Sequence, residues 1–180
     1  MSPFETLSTA RLLLRKLTPE IFDYIYLHYS DAELMTFLGT ADEAALAKEK
    51  EKHRKGLATF NKSFCYFLIL DKNTTKIIGW CGFHTWYLDH NRAEIGYGLF
   101  DDAYKQKGIM SEAAKAILDY GFGPMNLHRV EALIGKDNMA SLSLVKKFGF
   151  TQEGLLREHY FTNNTIEDSV VFGLLRQEYQ

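Results

Sequence analysis

The segment 63–86 reads as a β-hairpin whose first strand is apolar on both faces. Its first arm, SFCYFLIL at 63–70, is a near-continuous apolar run of strand length, which is typical of a strand buried on both sides. The polar stretch DKNTTK forms the turn, and IIGWCGFHTW at 77–86 forms the returning arm. A strand that is covered on both faces needs a layer of structure above and below the sheet. The hairpin therefore predicts a sheet with helices on each face.

The rest of the chain supplies these helices and further strands. Thr18 is a predicted N-cap and Pro19 a first helical residue, and together they open the first helix. Further helices are predicted at 31–38, ending near Gly39, at 41–61, at 109–122, and at 138–148, ending before Gly149. Further strands are predicted at 10–17, 92–100, 128–134, 155–161 and 166–175, with a turn at 162–165. This order predicts one mixed α/β domain over residues 1–180.

Composition and charge are those of an ordinary globular protein, with 46% hydrophobic and 24% charged residues. A net charge of −2 argues against an extended nucleic-acid surface. No apolar run approaches the roughly 20 residues that cross a bilayer, and residues 1–5 lack the features of an export signal. Cys65 and Cys81 lie in apolar strands, so two buried free thiols are expected rather than a disulfide. We expect a cytoplasmic protein that binds neither nucleic acid nor membranes.

The stretch AYKQKGIMSEAAKAI at 103–117 joins a basic loop to the start of a helix. Lys105 and Lys107 supply positive charge, and Gly108 permits a positive φ and close backbone approach. The first turn of the helix has amides without intrahelical partners and carries the positive end of the helix dipole. These features predict an anion cradle suited to a phosphate-bearing ligand. Walker A and Rossmann glycine patterns are absent, and an ordinary strand-to-helix turn is the alternative.

The strand before this loop, EIGYGLF at 94–100, contains Gly96 and Gly98. Glycine inside a strand often marks a bulge or a place where another chain or a ligand comes close. We expect a bulged strand that offers backbone hydrogen bonds to an extended ligand and ends at the anion cradle. A pantetheine arm joined to a pyrophosphate has that shape.

Four segments in order resemble the GNAT superfamily of N-acetyltransferases, and within it the ribosomal-protein N-terminal acetyltransferases of the RimJ/RimL type. The segments are LSTARLLLRKLT at 7–18, AEIGYGLFDDAYKQKGIMSEA at 93–113, NMASLSLVKKFGF at 138–150 and EGLLREHYFTNNTIEDSVVFGLL at 153–175. The resemblance implies a mixed α/β, GNAT-like fold with a central, mostly antiparallel, twisted sheet of six to seven strands and helices on both faces. It also implies direct acetyl transfer from acetyl-CoA to an amine in a ternary complex, without a metal.

In this family the pyrophosphate loop usually reads Q/R-x-x-G-x-G/A, and residues 105–110 match it as K-Q-K-G-I-M. The resemblance implies that amides at Leu99 and Phe100 stabilise charge developing on the thioester carbonyl. It also implies that Asn138 bonds to the pantetheine, with plain N-capping as the alternative. The residues expected to bind acetyl-CoA are Leu99, Phe100, Lys105, Gln106, Lys107, Gly108, Ile109, Met110, Ser111 and Asn138.

The reaction needs a neutral amine. A weak general base is enough when the acceptor is an α-amino group, whose pKa is about 7.7–8. Glu94 is our first candidate for the base, since it lies on the glycine-containing strand; an ion-pair or solvent-side role is its alternative. Glu158 and His159, on the penultimate strand, are alternates. Ser141, which matches the family's N-x-x-S pattern, is the candidate proton donor to the departing thiolate. The other hydroxyls considered for this donation are Tyr97 and Tyr160.

The acceptor stays open between a protein's N-terminal α-amino group, ribosomal for the branch named, and a small amine such as a polyamine, an aminoglycoside or an amino-acid derivative. A non-catalytic acyl-CoA-binding module is a third alternative. We expect the helices at 19–61 to shape the acceptor groove. Trp80, His84 and Trp86 are expected on one strand face, as core or as pocket wall. The protein is expected to be a monomer, or a homodimer that pairs through its final hairpin.

Overall fold

The computed structural model describes residues 4–56, 58–59, 61–162 and 164–180. Residues 1–3, 57, 60 and 163, which our predictions for the amino terminus, the third helix and the last turn include, lie outside the described residues. The helices are α1 Pro19–His28, α2 Asp31–Leu38, α3 Glu43–Arg54, α4 Ile109–Phe122 and α5 Met139–Lys147. The strands are β1 Thr6–Ser8, β2 Leu12–Leu17, β3 Lys62–Asp71, β4 Ile77–Tyr87, β5 Arg92–Leu99, β6 Arg129–Gly135, β7 Thr151–Thr162 and β8 Thr165–Leu175.

The strands form one eight-stranded sheet in the order β1-β2-β3-β4-β5-β6-β8-β7. Neighbouring strands are antiparallel except β5 and β6, which are parallel. This confirms the mixed, mostly antiparallel sheet, with one strand more than the six to seven predicted. The additional strand is β1, whose three residues pair with β2 and are too few to show an alternating pattern.

The two faces of the sheet are covered by different helices. One face packs against α4 in a core that includes Phe67, Phe83 and Ile117, all fully buried. The opposite face packs against α1 and α2, for example through Leu68 and Leu38. The prediction of helices on both faces is therefore confirmed, and so is the inference that β3 is buried on both sides.

β5 and β6 separate soon after they begin to pair. Their parallel register covers three residue pairs and ends at Glu94 opposite Glu131. Beyond this point β5 continues alongside β4 to Leu99, while β6 continues alongside β8 to Gly135. Since each strand follows its other neighbour, the inner edges of β5 and β6 face an opening rather than each other.

The observed helix ends agree with the predictions only in part. Gly39 and Gly149 follow α2 and α5 at the predicted positions, and both have the left-handed conformation. Thr18 occupies the N-cap position of α1, but contrary to our prediction its side chain makes no capping hydrogen bond. α3 ends at Arg54, well before the predicted limit of 61.

A bulge in β4 changes which side chains share a face. The register with β5 shifts between His84 and Tyr87, and Thr85 in this interval has φ of 48°. Trp80 and His84 lie over the glycines of β5, whereas Trp86 packs into the core on the α4 side. The prediction that Trp80, His84 and Trp86 share one face is therefore wrong for Trp86, because the bulge reverses the alternation before it.

Cys65 and Cys81 are free and buried, as predicted. Among the described residues, no helix has the length and apolar character needed to cross a membrane. The same residues contain no cluster of three or more side chains that could hold a metal ion.

The final hairpin ends the sheet at β7. It carries exposed apolar side chains, including Leu155, Phe161 and Ile166. Pairing of this hairpin across a two-fold axis, which would make a homodimer, stays a prediction.

Gly121 of α4 packs so closely on the sheet that a Cβ atom added to it would lie within van der Waals overlap of Phe83 Cζ. Phe83 is fully buried. We expect Gly121→Ala to lower the free energy of unfolding by about 1–3 kcal/mol through overpacking, measured by urea denaturation. The sign of this change in unfolding free energy is informative, because alanine is otherwise more stable than glycine inside a helix by about 0.5–1 kcal/mol.

Gly154→Ala is the matched control, since nothing lies within 4 Å of a Cβ added there. Its unfolding free energy should change by no more than about 0.5 kcal/mol. A Gly121→Ala variant at least as stable as the parent would contradict this packing.

Candidate functional site

The opening between β5 and β6 leads into a pocket of about 280 Å³. Its walls come from the sheet on both sides of the opening and from the start of α5. The lining residues are Trp80, His84, Glu94, Ile95, Gly96, Tyr97, Ala132, Leu133, Ile134, Gly135, Asn138, Ser141 and Tyr160. Three predicted site residues, Glu94, Asn138 and Ser141, therefore meet in one pocket although they are far apart in the chain.

Backbone groups of β5 point into this opening. The Phe100 N–H donates to Ile78 O of β4 at 3.0 Å. Because successive amides of a strand point to opposite edges, the Leu99 and Tyr97 amides point away from β4, toward the opening. Of the two amides predicted to stabilise an oxyanion, Leu99 is thus directed to the opening. Phe100 is not, since β4 already uses its N–H group.

Gly96 and Gly98 make room for side chains of β4. A Cβ on Gly96 would lie 2.8 Å from His84 Nε2, and one on Gly98 would lie 3.2 Å from Trp80 Nε1. β5 keeps an unbroken register with β4 from Glu94 to Leu99. The bulge that we predicted in β5 is therefore wrong, and the close approach that the glycines permit is that of two rings from the neighbouring strand.

Glu94 is a buried carboxylate with an unusual proton affinity. Only 13% of its side chain is exposed, and its Oε2 lies 3.7 Å from His84 Nδ1. Burial, together with the charge of Glu131 on the adjacent strand, raises the pKa of Glu94 to about 7. Glu131 is itself compensated, because Arg92 and Arg129 bond to its two oxygens at 2.8 and 2.9 Å. Among the described residues that line the pocket, Glu94 is therefore the one uncompensated carboxyl group, and it titrates near neutral pH.

His84 and Tyr160 are pocket residues to which sequence reasoning gave little weight. Burial lowers the pKa of His84, which keeps the ring neutral at pH 7. Burial and the charge of Glu94 raise the pKa of Tyr160, which keeps its hydroxyl protonated. His84 was assigned to the core or pocket wall, and the pairing that places it opposite Glu94 depends on the β4–β5 register. The alternation along WCGFH was the available signal, since it puts Trp80 and His84 on one face.

Ser141 and Asn138 lie at the start of α5. The Ser141 N–H donates to Asn138 Oδ1 at 3.1 Å, so Asn138 caps the helix. Its bond to a coenzyme stays a prediction. Across the pocket, the Tyr97 hydroxyl is buried and makes no well-formed hydrogen bond within the described chain. Burial raises the pKa of Tyr97, and the neighbouring Ser141 hydroxyl only partly offsets this.

A bulge in β7 separates the alternates Glu158 and His159 from the pocket. The register with β8 shifts between Leu156 and Tyr160, and Glu158 has φ of 52°. His159 Nδ1 lies 3.1 Å from Ser169 Oγ, and the Glu158 side chain is exposed. Tyr160, rather than Glu158 or His159, lines the pocket. Sequence alone does not show which of these neighbouring side chains faces the pocket, because the bulge lies within the strand.

The loop at 105–108 approaches α4 through two left-handed residues, Gln106 with φ of 57° and Gly108 with φ of 73°. Lys105 pairs with Asp102 at 2.5 Å, and Lys107 is exposed. The Lys105 N–H is also used, since it donates to Asp102 O at 3.0 Å.

Gly108 is the N-cap of α4 and offers no capping side chain. The first intrahelical bond runs from Glu112 N to Gly108 O. The amides of Ile109, Met110 and Ser111 precede this bond and have no intrahelical acceptor. A residue that sequence reasoning missed, Lys147 of α5, donates from Nζ to Ser111 Oγ at 2.5 Å and brings a further cation to this turn.

Residues 11–151 match the acetyltransferase (GNAT) domain family, which covers most of the chain. The chain belongs to the GNAT family. It is an acetyl-CoA-dependent N-acetyltransferase, as predicted. GNAT proteins use acetyl-CoA as cosubstrate, and three features of this structure fit that use. Amides are directed into the β5–β6 opening, the buried Tyr97 hydroxyl makes no well-formed hydrogen bond to any described residue, and the first turn of α4 has no capping side chain.

Other GNAT proteins resemble the chain over all or part of its length. It is 34% identical to an uncharacterized N-acetyltransferase, p20, of Bacillus licheniformis over 97% of this chain and 98% of that protein. It is 30% identical to spermidine N(1)-acetyltransferase of Escherichia coli over 50% of this chain and 48% of that enzyme.

A solved structure shares the fold: ribosomal-protein-S5-alanine acetyltransferase from Vibrio fischeri, with a TM-score of 0.68 and 24% identity over 98% of this chain and 99% of that one. At this identity it shows the fold alone.

The raised pKa of Glu94 predicts a pH-dependent cost to stability. In the folded protein Glu94 keeps its proton up to about pH 7, whereas in the unfolded chain it ionises near 4.5. The stabilisation this gives is present below pH 4.5 and is lost as pH rises through 7. We expect the stability of the Glu94→Gln variant, relative to the parent, to increase between pH 5 and pH 8 in urea unfolding experiments.

Glu153→Gln is the control for this measurement. The hydrogen bond from Arg129 lowers the pKa of Glu153, so any pH dependence from this group falls below pH 5. The difference between this variant and the parent should be flat from pH 5 to 8. An equally flat difference for Glu94→Gln would show that Glu94 titrates normally.

Proposed function

We propose that this enzyme acetylates the N-terminal α-amino group of a protein, and that it does so in the cytoplasm. The observation that carries the proposal is the single uncompensated carboxyl group of the pocket, Glu94, with a pKa of about 7. Such a base suits an acceptor whose ammonium form is only slightly less acidic than protonated Glu94.

Proton affinity favours an α-amino acceptor over an alkylamine. Transfer of a proton from an α-ammonium group, pKa about 8, to Glu94 costs roughly 1.4 kcal/mol. Transfer from a lysine-like ammonium group, pKa about 10.4, costs roughly 4.6 kcal/mol. The first cost is small enough for a carboxylate acting directly or through one water molecule.

The charges around the pocket also favour an acceptor with one amine. A polyamine carries several ammonium groups, and each needs a carboxylate or polar partner. Apart from Glu94, the pocket lining has no carboxylate, and Glu131 nearby is bonded to two arginines. On α3, Glu49 and Glu51 are paired with Lys52 and Arg54. The charges of Glu49 and Glu51 are therefore already compensated.

An apolar cavity next to the site offers room for the side chains that follow an acceptor's first residue. It measures about 460 Å³ and shares Trp80 with the site pocket. Leu68 lines it on the sheet side, and Phe22 and Leu38 line it on the side of α1 and α2. This supports the prediction that the helices between 19 and 61 shape the acceptor groove.

The roles of the pocket residues follow from their positions. Glu94 accepts the proton that the attacking amine loses as the new N–C bond forms. The Leu99 amide donates to the acetyl carbonyl oxygen as its charge grows. As the C–S bond breaks, Ser141 or Tyr97 supplies a proton to the thiolate. At the far end of the opening, the amides and cations of residues 105–111 hold the coenzyme diphosphate.

A second candidate acceptor is a small polyamine. The specific observation in its favour is the similarity of half the chain to spermidine N(1)-acetyltransferase. A panel of acetyl-CoA turnover assays separates the two. We expect faster turnover with peptides that begin with Ser or Ala than with spermidine or aminoglycosides. The reverse order, in which spermidine turns over and no peptide does, would overturn the α-amino assignment.

Substitution of the base tests the mechanism on whichever acceptor turns over. We expect Glu94→Gln to lower kcat by about 10²–10⁴-fold, the usual contribution of general acid–base catalysis. Glu158→Gln is the matched comparison, since it makes the same change on an exposed side chain outside the pocket. A large loss of kcat in Glu158→Gln, with little loss in Glu94→Gln, would show that the general base is Glu158 on β7.

The coenzyme cradle is tested at Gly108 with two substitutions of equal size. Gly108→Asp and Gly108→Asn impose the same backbone strain at φ of 73°, but only Asp adds negative charge. We expect Gly108→Asp to weaken CoA binding at least about tenfold more than Gly108→Asn does, as measured by calorimetry. Equal affinities for CoA in the two folded variants would show that the diphosphate does not bind at this loop.

A further inference from the structure

Arg11, immediately before β2, contacts the loop that precedes α4 from nearly a hundred residues away in the chain. Its Nη1 donates to Lys107 O at 2.9 Å, and its Nε donates to Glu112 Oε2 at 2.6 Å. Its backbone N–H donates to the other Glu112 oxygen at 2.7 Å. Thr9 adds a hydroxyl bond of 2.6 Å to the same oxygen. Four hydrogen bonds thus tie β2 and the residues before it to the loop and to the first turn of α4.

The loop has a conformation that needs external support. Gln106 and Gly108, on either side of Lys107, both have left-handed φ values. For Gln106, which has a Cβ, this costs of order 1–3 kcal/mol and persists only where surrounding contacts enforce it. The bond from Arg11 to the Lys107 carbonyl is one such contact, because it fixes the peptide that lies between the two left-handed residues.

Glu112 presents an electrostatic problem for an anion cradle. Its carboxylate lies in the first turn of α4, beside the amides that would receive a phosphate. Burial raises the pKa of Glu112, but the bonds from Thr9 and Arg11 outweigh this and lower it, so the group is charged at neutral pH. A charged carboxylate would repel a phosphate unless a cation neutralises it. Arg11 supplies that cation at hydrogen-bonding distance.

Arg11 also retains hydrogen-bonding capacity on the side of the cradle. Its Nη2 lies 3.6 Å from the position that a Cβ on Gly108 would occupy. Within the described part of the chain, no acceptor bonds to this nitrogen. About half of the side chain is exposed, so the guanidinium is both anchored and accessible.

We propose that Arg11 is a coenzyme-positioning residue, which holds the loop at 105–108 in its binding conformation and cancels the charge of Glu112 beside the diphosphate. The inference rests on the proposed placement of the diphosphate at residues 105–111. It assigns a binding role to the turn between β1 and β2, which lies outside the loop and the strand that carry the coenzyme motif. Neither role depends on the identity of the acceptor.

The test measures CoA binding to the full chain by calorimetry, without an acceptor. We expect Arg11→Gln to raise the Kd for CoA by about tenfold or more. Lys72→Gln is the control, because it removes the same charge from a side chain that bonds to Ser8 and Thr9 but not to the loop. Its Kd should stay within about twofold of the parent.

A second substitution separates an electrostatic role from a structural one. In the Arg11→Gln background Glu112 is left uncompensated, so adding Glu112→Gln should recover a large part of the lost affinity. A purely structural role predicts no recovery, and a double variant no better than Arg11→Gln overturns the electrostatic half of the proposal. Arg11→Lys keeps the charge but cannot bond to both partners in the same fork geometry. Its Kd for CoA should therefore lie between those of the parent and of Arg11→Gln.

The proposal is overturned if folded Arg11→Gln, or folded Arg11→Lys where Arg11→Gln does not fold, binds CoA as the parent does. It is also overturned if Lys72→Gln weakens binding equally. Failure of the underlying placement is distinguishable: in that case Gly108→Asp and Gly108→Asn bind CoA with equal affinity. If the Gly108 pair differ and Arg11→Gln has no effect, only the role of Arg11 is rejected.

Discussion

The separation of β5 from β6 is the constraint on which the site depends. A strand pair that stayed hydrogen-bonded would leave no unpaired amide and no room between the strands. Here the pairing stops at Glu94 and Glu131, and each strand then follows its outer neighbour. The backbone of β5 beyond this point pairs on one edge only, and its other edge is available to an extended ligand. The pocket, the predicted oxyanion donor at Leu99 and the position of Glu94 all follow from this divergence.

Burial at the point where β5 and β6 stop pairing raises the pKa of Glu94. The same point of divergence places it against His84 and close to Glu131, in surroundings that disfavour its charged form. A carboxyl group with an ordinary pKa would be a weak base for any amine at neutral pH. The Glu94 pKa of about 7 is close to the pKa of an α-ammonium group and far below that of an alkylammonium group. Because Arg92 and Arg129 neutralise Glu131, the pocket offers one negative charge rather than several.

Sequence predicted the elements and their order because hydrophobic alternation and glycine punctuation are local signals. It also identified Glu94 and Ser141, which the fold brings to one pocket. Its errors occurred where backbone irregularity changes the side-chain direction: the bulge at Thr85 moved Trp86 to the opposite face, and the bulge before Tyr160 separated Glu158 and His159 from the site. The pair of glycines in β5 was a correct sign of close approach, but the partners were rings of β4. Contacts such as Arg11 with Glu112 join residues a hundred positions apart, and no local pattern reports them.

A crystal structure of the protein with acetyl-CoA tests the central claim most directly. We expect the diphosphate on the amides of Ile109, Met110 and Ser111, the pantetheine along the free edge of β5, and the acetyl group between Glu94 and Ser141. A coenzyme bound elsewhere, or an opening closed by continued pairing of β5 with β6, would contradict that claim.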